Sequence, residues 1–187
     1  MDLELTQEEQ AALLALARRT IEAETSGGRL EDALEDFAPS PAMRMILPCF
    51  VTLRKHGELR GCIGGLSANE PLYENVAWMA QRAAFFDPRF GPVQAEETPE
   101  LTIEISVLSA PHAVESYEDV KLGQHGVVLE KGPCRAVYLP DVAEQFGWDR
   151  EAMLSHLARK AGLPRDGWRE GASFQVFTTL KFAEHRD

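Results

Sequence analysis

The chain has 187 residues, 19 basic and 30 acidic, for a net charge of −11. That length suits one domain or two closely packed halves, and it can bury about 70% of its extended surface without staples. The acidity disfavours phosphate backbones and anionic membrane surfaces, so neither nucleic acid nor a membrane is an expected partner. Three cysteines, Cys49, Cys62 and Cys134, come without CxxC spacing, and five histidines are scattered. This argues against a disulfide framework and against a metal site. The first residues lack the basic and apolar regions of a signal peptide, and no apolar run approaches the ~18 residues of a membrane span. The expectation is a reduced, cytoplasmic protein.

In chain order, residues 5–26 read as a helix. Thr6 and Glu9 have capping-box spacing, Leu13, Leu16, Ala17 and Ile21 share a face, and Gly27-Gly28 stop it. Residues 29–44 hold a short amphipathic stretch (Leu30, Leu34, Phe37) and a proline-rich connector. "ILPCFVTLRKHGELRGCIGGL" reads as two strands joined at His56-Gly57, with the glycine-rich segment closing the second in a turn. "NEPLYENVAWMAQRAAFFDPRF" reads as a helix with Leu72, Val76, Met79, Ala80 and Ala83 as its stripe, ended before Pro88. "LTIEISVLS" alternates, with Leu101, Ile103, Ile105 and Val107 on one face and Thr102, Glu104 and Ser106 on the other. Two strands follow around Lys131-Gly132-Pro133. A helix capped by Asp149 comes next, then a single final strand, "SFQVFTTLKFAE". Trp78, Trp148 and Trp168 are expected in the core or at caps. Strand pairs joined by short turns, interspersed with helices, define an α+β class.

The segment Arg60-Gly61-Cys62-Ile63-Gly64-Gly65 concentrates chemistry. A thiolate forms most readily beside a cation or unpaired amides, and Arg60 is two residues from Cys62. Gly61, Gly64 and Gly65 would let amides converge on an anion or let a substrate approach the backbone. The alternative is a small cysteine packed against a helix. Asp87 and Arg89 flank Pro88 and either pair with each other or face a ligand, since the arginine fork suits a carboxylate or phosphate. Glu104, on the minority face of an apolar strand, is a solvent-facing residue or a base. His125 is a turn histidine or a proton carrier for Cys62.

As a string, "LRGCIG" resembles the hallmark of the AMMECR-type domain family (AmmeMemoRadiSam system protein A). "AAFFDPRFGPV", "LTIEISVLSAP", "GQHGVVLEKG", "LPDVAEQFGWD" and "LARKAGLPRDGW" resemble further family blocks in preserved order, over about residues 45–184. Asp141 stands where the family usually has glutamine. The resemblance implies a single domain over residues 1–187. Its α+β fold would have two similar β/α halves around one mostly antiparallel, barrel-like sheet with flanking helices. It also implies a pathway shared with Memo-like and radical-SAM proteins, and it specifies no cofactor.

Two functions follow as expectations. One is an enzyme or ligand-binding protein, with Cys62, Glu104 and His125 as catalytic candidates. Arg60, Gly61, Ile63, Gly64, Gly65, Asp87 and Arg89 would then bind a small anionic ligand. The other is a non-catalytic accessory module that engages a Memo-like or radical-SAM partner. A second copy of the chain is a further candidate partner, through the N-terminal helix.

Overall fold

A computed structural model describes residues 4–185, which divide into two compact units. The first runs to Leu108 and takes back the chain from Leu180; the second is Ser109–Thr179. Each carries a four-stranded sheet. The α+β class and the antiparallel strands are as expected. The strands are shared between two sheets where the resemblance implied one barrel-like sheet.

The first unit opens with α1 (Gln7–Thr25) and α2 (Leu30–Leu34). The Thr6 hydroxyl accepts the Glu9 amide and the Glu9 carboxylate accepts the Thr6 amide, so both orphan donors are satisfied. Strands β1 (Cys49–Lys55) and β2 (Glu58–Gly64) form a hairpin. His56 (φ 52°) and Gly57 (φ 84°) take the left-handed conformations that a tight two-residue turn needs. Helix α3 (Leu72–Phe85) and strand β3 (Leu101–Leu108) follow. The sheet order is β2-β1-β3-β8, with β8 at Thr179–Ala183.

One face of this sheet, with Cys49, Val51, Leu53, Ile103 and Ile105, joins Leu13, Ala17 and Ile21 of α1 and Leu72, Val76, Ala80 and Ala83 of α3 in one core. Met79 packs at the margin of that core, and Trp78 is half exposed, not a core residue. Arg18 ties α1 to the sheet. Its guanidinium donates to Glu184 at 2.6 Å and to the carbonyls of Thr98 and Leu101.

The second unit contains β4 (His112–Val114), β5 (Gly126–Lys131), β6 (Cys134–Tyr138), α4 (Val142–Phe146), α5 (Arg150–Lys160) and β7 (Ser173–Phe177), in sheet order β4-β7-β5-β6. Asp149 caps α5 by accepting the Ala152 amide at 2.8 Å. Trp168 is buried and donates its indole N–H to Ser155.

The expected single last strand is two strands. Thr178 interrupts it: its carbonyl accepts the Ser109 amide and its own amide donates to the Ser109 hydroxyl, both at 2.9 Å. Phe174 and Val176 therefore serve the second unit's core, and Leu180 and Phe182 the first. The alternation runs unbroken across residues 174–182, so nothing in the pattern marks the division.

Candidate functional site

The glycine-rich segment is not a turn. Arg60 to Gly64 lie within β2, at the edge of the first sheet. None of Gly61, Gly64 and Gly65 has a positive φ. Close packing explains two of these glycines. A Cβ on Gly61 would stand 2.2 Å from the carbonyl oxygen of Ala83, so α3 lies directly against the strand. A Cβ on Gly64 would meet the Cys49 carbonyl and the Phe50 ring at 2.4 Å. Gly65 has only ordinary contacts, and its amide donates to Cys49. Ile63 packs at the margin of the apolar core.

Cys62 lies opposite Thr52 on β1, and Thr52 lies opposite Glu104 on β3. Directly opposed residues share a face. The three side chains thus form a row on the face away from the core. The Thr52 hydroxyl, in a buried side chain, donates to Cys62 Sγ at 3.2 Å. Glu104 pairs with Lys181 of β8 at 3.1 Å. By contrast Cys49, on the apolar face, is fully buried, and burial pushes its thiol up to about 12. Cys134 is a partly exposed free thiol in the second unit.

The Cys62 peptide is held from outside the sheet. Its amide donates to Asp87 Oδ2 at 2.9 Å, and its carbonyl accepts from Arg89 Nη2 at 3.2 Å. Arg89 also forks onto Asp87, at 2.9 and 2.7 Å, and donates its own amide to Oδ1 at 3.1 Å. The Arg89 hydrogen bonds come first among the causes that hold the Asp87 carboxyl far below the usual carboxylate range, with the Cys62 amide adding to them against the cost of burial. Arg89 is half exposed and Asp87 is almost wholly covered, with 53% and 2% of their side chains accessible.

Arg60 is placed by a β-bulge. Leu53 faces Gly61 and Arg54 faces Leu59, so Arg60 is the extra residue. Its guanidinium forks onto Glu97 at 3.0 and 2.9 Å and donates to the Gly91 carbonyl. Glu97 also accepts the Gln94 amide and meets Lys55 at 3.4 Å. The Arg60 hydrogen bonds bring its carboxyl down to about 2. The two arginines read as a common anion clamp are therefore each paired with a separate carboxylate of the chain, and Arg89 keeps an exposed edge.

His125 lies in the second unit. Its Nδ1 accepts the Lys121 amide at 3.2 Å, and burial lowers its pKa, with Lys121 adding to the effect. This is the geometry of a turn histidine bonded to backbone. Asp141 accepts from Gln145 at 2.9 Å at the start of α4.

Sequence reasoning missed Thr52, Glu97 and Lys181. The β1 alternation marks Thr52 as the polar position between Val51 and Leu53. The Gln94–Glu97 spacing marks a cap. Nothing short of the strand register connects Lys181 with Glu104.

The likeness to known proteins runs along nearly the whole chain. A protein of Methanosarcina barkeri is 36% identical over 186 residues, covering 96% of this chain and 92% of its own. One of Methanothermobacter thermautotrophicus is 40% identical over 171 residues, covering 87% and 86%. The crystal structure of an uncharacterized protein from Pyrococcus horikoshii matches with a TM-score of 0.77 at 34% identity, covering 97% of this chain and 94% of that one. The AMMECR1 family profile spans residues 14–182, most of the chain, and the chain belongs to the AMMECR1 family.

Proposed function

We propose that the family domain carries a ligand-binding or catalytic site on the polar face of the first sheet, centred on Cys62. The carrying observation is the Thr52 hydroxyl donating to Cys62 Sγ at 3.2 Å, in a cross-strand row that continues to Glu104. A thiol needed only for packing would sit as Cys49 does, in the apolar core. In this reading Cys62 is the nucleophile or redox thiol and Glu104 the proton acceptor. Arg89, half exposed and cationic, receives the anionic part of a small ligand. The setting is a cytoplasmic pathway with Memo-like and radical-SAM proteins.

The test is alkylation of the folded protein with iodoacetamide across a pH series, read at each cysteine by mass spectrometry. Cys62 is expected to react faster than Cys134, while Cys49 stays unmodified until unfolding. Protection of Cys62 until global unfolding removes the catalytic role.

A second reading, a non-catalytic accessory module, is favoured by a separate observation. Both arginines of the site are already bidentate to carboxylates within the chain. In that case Cys62→Ser retains binding to a Memo-like or radical-SAM partner, and Arg60→Ala weakens it.

A further inference from the structure

Strand β2 ends its sheet, so one row of its backbone groups has no strand beside it. In an antiparallel pair, residues of a wide pair direct N–H and C=O away from each other. Cys62 is such a residue, because its amide and carbonyl both go outward, to Asp87 and Arg89. A carboxylate accepting the N–H and a guanidinium donating to the C=O are what an adjacent strand would offer at that position. Two residues on, Gly64 repeats the orientation, opposite Phe50 in the same register. No strand lies against it among the described residues.

Two further features fit an added strand. The Arg89–Cys62 bond is solvent-facing and is the long member of the cluster, at 3.2 Å. Phe86, next to the clamp, is 65% exposed, an apolar contact for alternate side chains of an incoming chain.

We infer that the outer edge of β2 receives an extended peptide segment of another protein, pairing with the backbone at Cys62 and Gly64, with Asp87 and Arg89 standing in for it in the free chain. Natural edges are blunted by charges or covered because a bare edge recruits strands without discrimination. Here the cover is a two-residue side-chain clamp over one position, with the next position left open. Main-chain pairing supplies the affinity, and the side chains flanking the edge supply the selectivity. This inference does not depend on Cys62 being reactive.

The experiment selects binders to the immobilised full chain from a random 12-residue peptide library. Synthetic versions are then titrated against the ¹⁵N-labelled protein. The expected result is saturable shifts at the Cys62 and Gly64 amides. Methylation of the peptide nitrogens that face the edge should weaken binding about tenfold or more. Arg89→Ala, checked for folding by circular dichroism, should bind about fivefold tighter, because the Cys62 carbonyl loses its internal donor. Three results overturn the proposal: no peptide recovered, shifts confined to other amides, or binding indifferent to N-methylation in the native chain. Concentration-dependent protection of the Gly64 amide without any peptide would make the occupant a second copy of this chain, and overturns it as well.

Discussion

The two units solve the same problem, a four-stranded antiparallel sheet with a helix against it, using different side-chain chemistry. In the first, charges are drawn in and fixed: Asp87 with Arg89, Arg60 with Glu97, Arg18 with Glu184 and Glu104 with Lys181. Apart from Arg89 and Lys181, these side chains are less than one-fifth exposed. In the second, the ion pairs Arg135–Glu130 and Arg169–Glu151 are each about half exposed, and such pairs contribute about 0–1 kcal/mol. Stacked rings take their place there: Phe146 on Trp148 at 4.7 Å, Trp148 on His156 at 4.0 Å and Tyr117 edge-on to Trp168 at 4.9 Å. Fixed, water-poor charges set orientation, whereas aromatic stacks mainly hold shape. The two units thus differ in what fixes their surfaces: paired charges in the first, stacked rings in the second.

The sharpest way to break this comparison is at the glycines. Gly61→Ala is expected to cost about 3 kcal/mol or more in urea unfolding, because its Cβ collides with helix backbone that cannot turn aside. Gly126→Ala in the second unit meets first the ring of Phe177, a side chain and not backbone, and should cost less. Gly65→Ala, with no contact under 3.4 Å, should lie within about 0.5 kcal/mol of the parent. Equal costs at Gly61 and Gly65 would remove the close-packing account of the motif.

Next in size is Asp87→Asn. It leaves the Cys62 amide and Arg89 with a neutral partner in a covered position, and about 2–4 kcal/mol of stability is expected to go. Glu151→Gln, at the exposed Arg169 pair, should change stability by under about 1 kcal/mol. Comparable losses at both places would mean that the two units do not differ in how they use charge.

Acid sharpens the same contrast. The carboxyls of Asp87 and Glu97 are both depressed by folding. Each therefore contributes stability that is fully present above the unfolded value near 4 and is lost as pH falls through the folded value, which for Glu97 is about 2. Unfolding free energy should decline between about pH 5 and pH 2, and Asp87→Asn should flatten that decline. An unchanged slope in the variant would mean that Asp87 gains nothing from its clamp.

The smallest effect is in the second unit. Burial lowers the His125 pKa, so the unfolded chain binds a proton more readily than the folded one. This costs stability as pH falls below about 6.5, a cost of the neutral ring's position that His125→Gln should remove. Titration of the ring by NMR should show a midpoint below that of a free histidine.

Much of this molecule was legible in the order of its residues, because local physics decides local structure. Capping at Thr6 and Asp149, the turn at His56-Gly57 and the alternation of β3 each involve neighbours a few residues apart. The string around Cys62, together with the blocks that follow it in order, pointed to the family. What the string could not disclose is that its glycines answer to Ala83 and Phe50, partners supplied by α3 and β1, so a strand edge read as a turn. The division at Thr178 was equally hidden, since both halves alternate alike and only their membership of different sheets separates them. Arg60 looked like part of an anion clamp because sequence shows its charge without the distant counter-charge, whereas pairing of Arg89 with Asp87 was one of two alternatives already open. Glu97 and Asp87 neutralise them through contacts 37 and 2 residues away, respectively. The residue types and their periodicity were thus set by the sequence alone. Which distant partners take up the charges, as Glu97 does for Arg60 and Lys181 for Glu104, was decided by long-range pairing, which exists only once the sheet has closed its register.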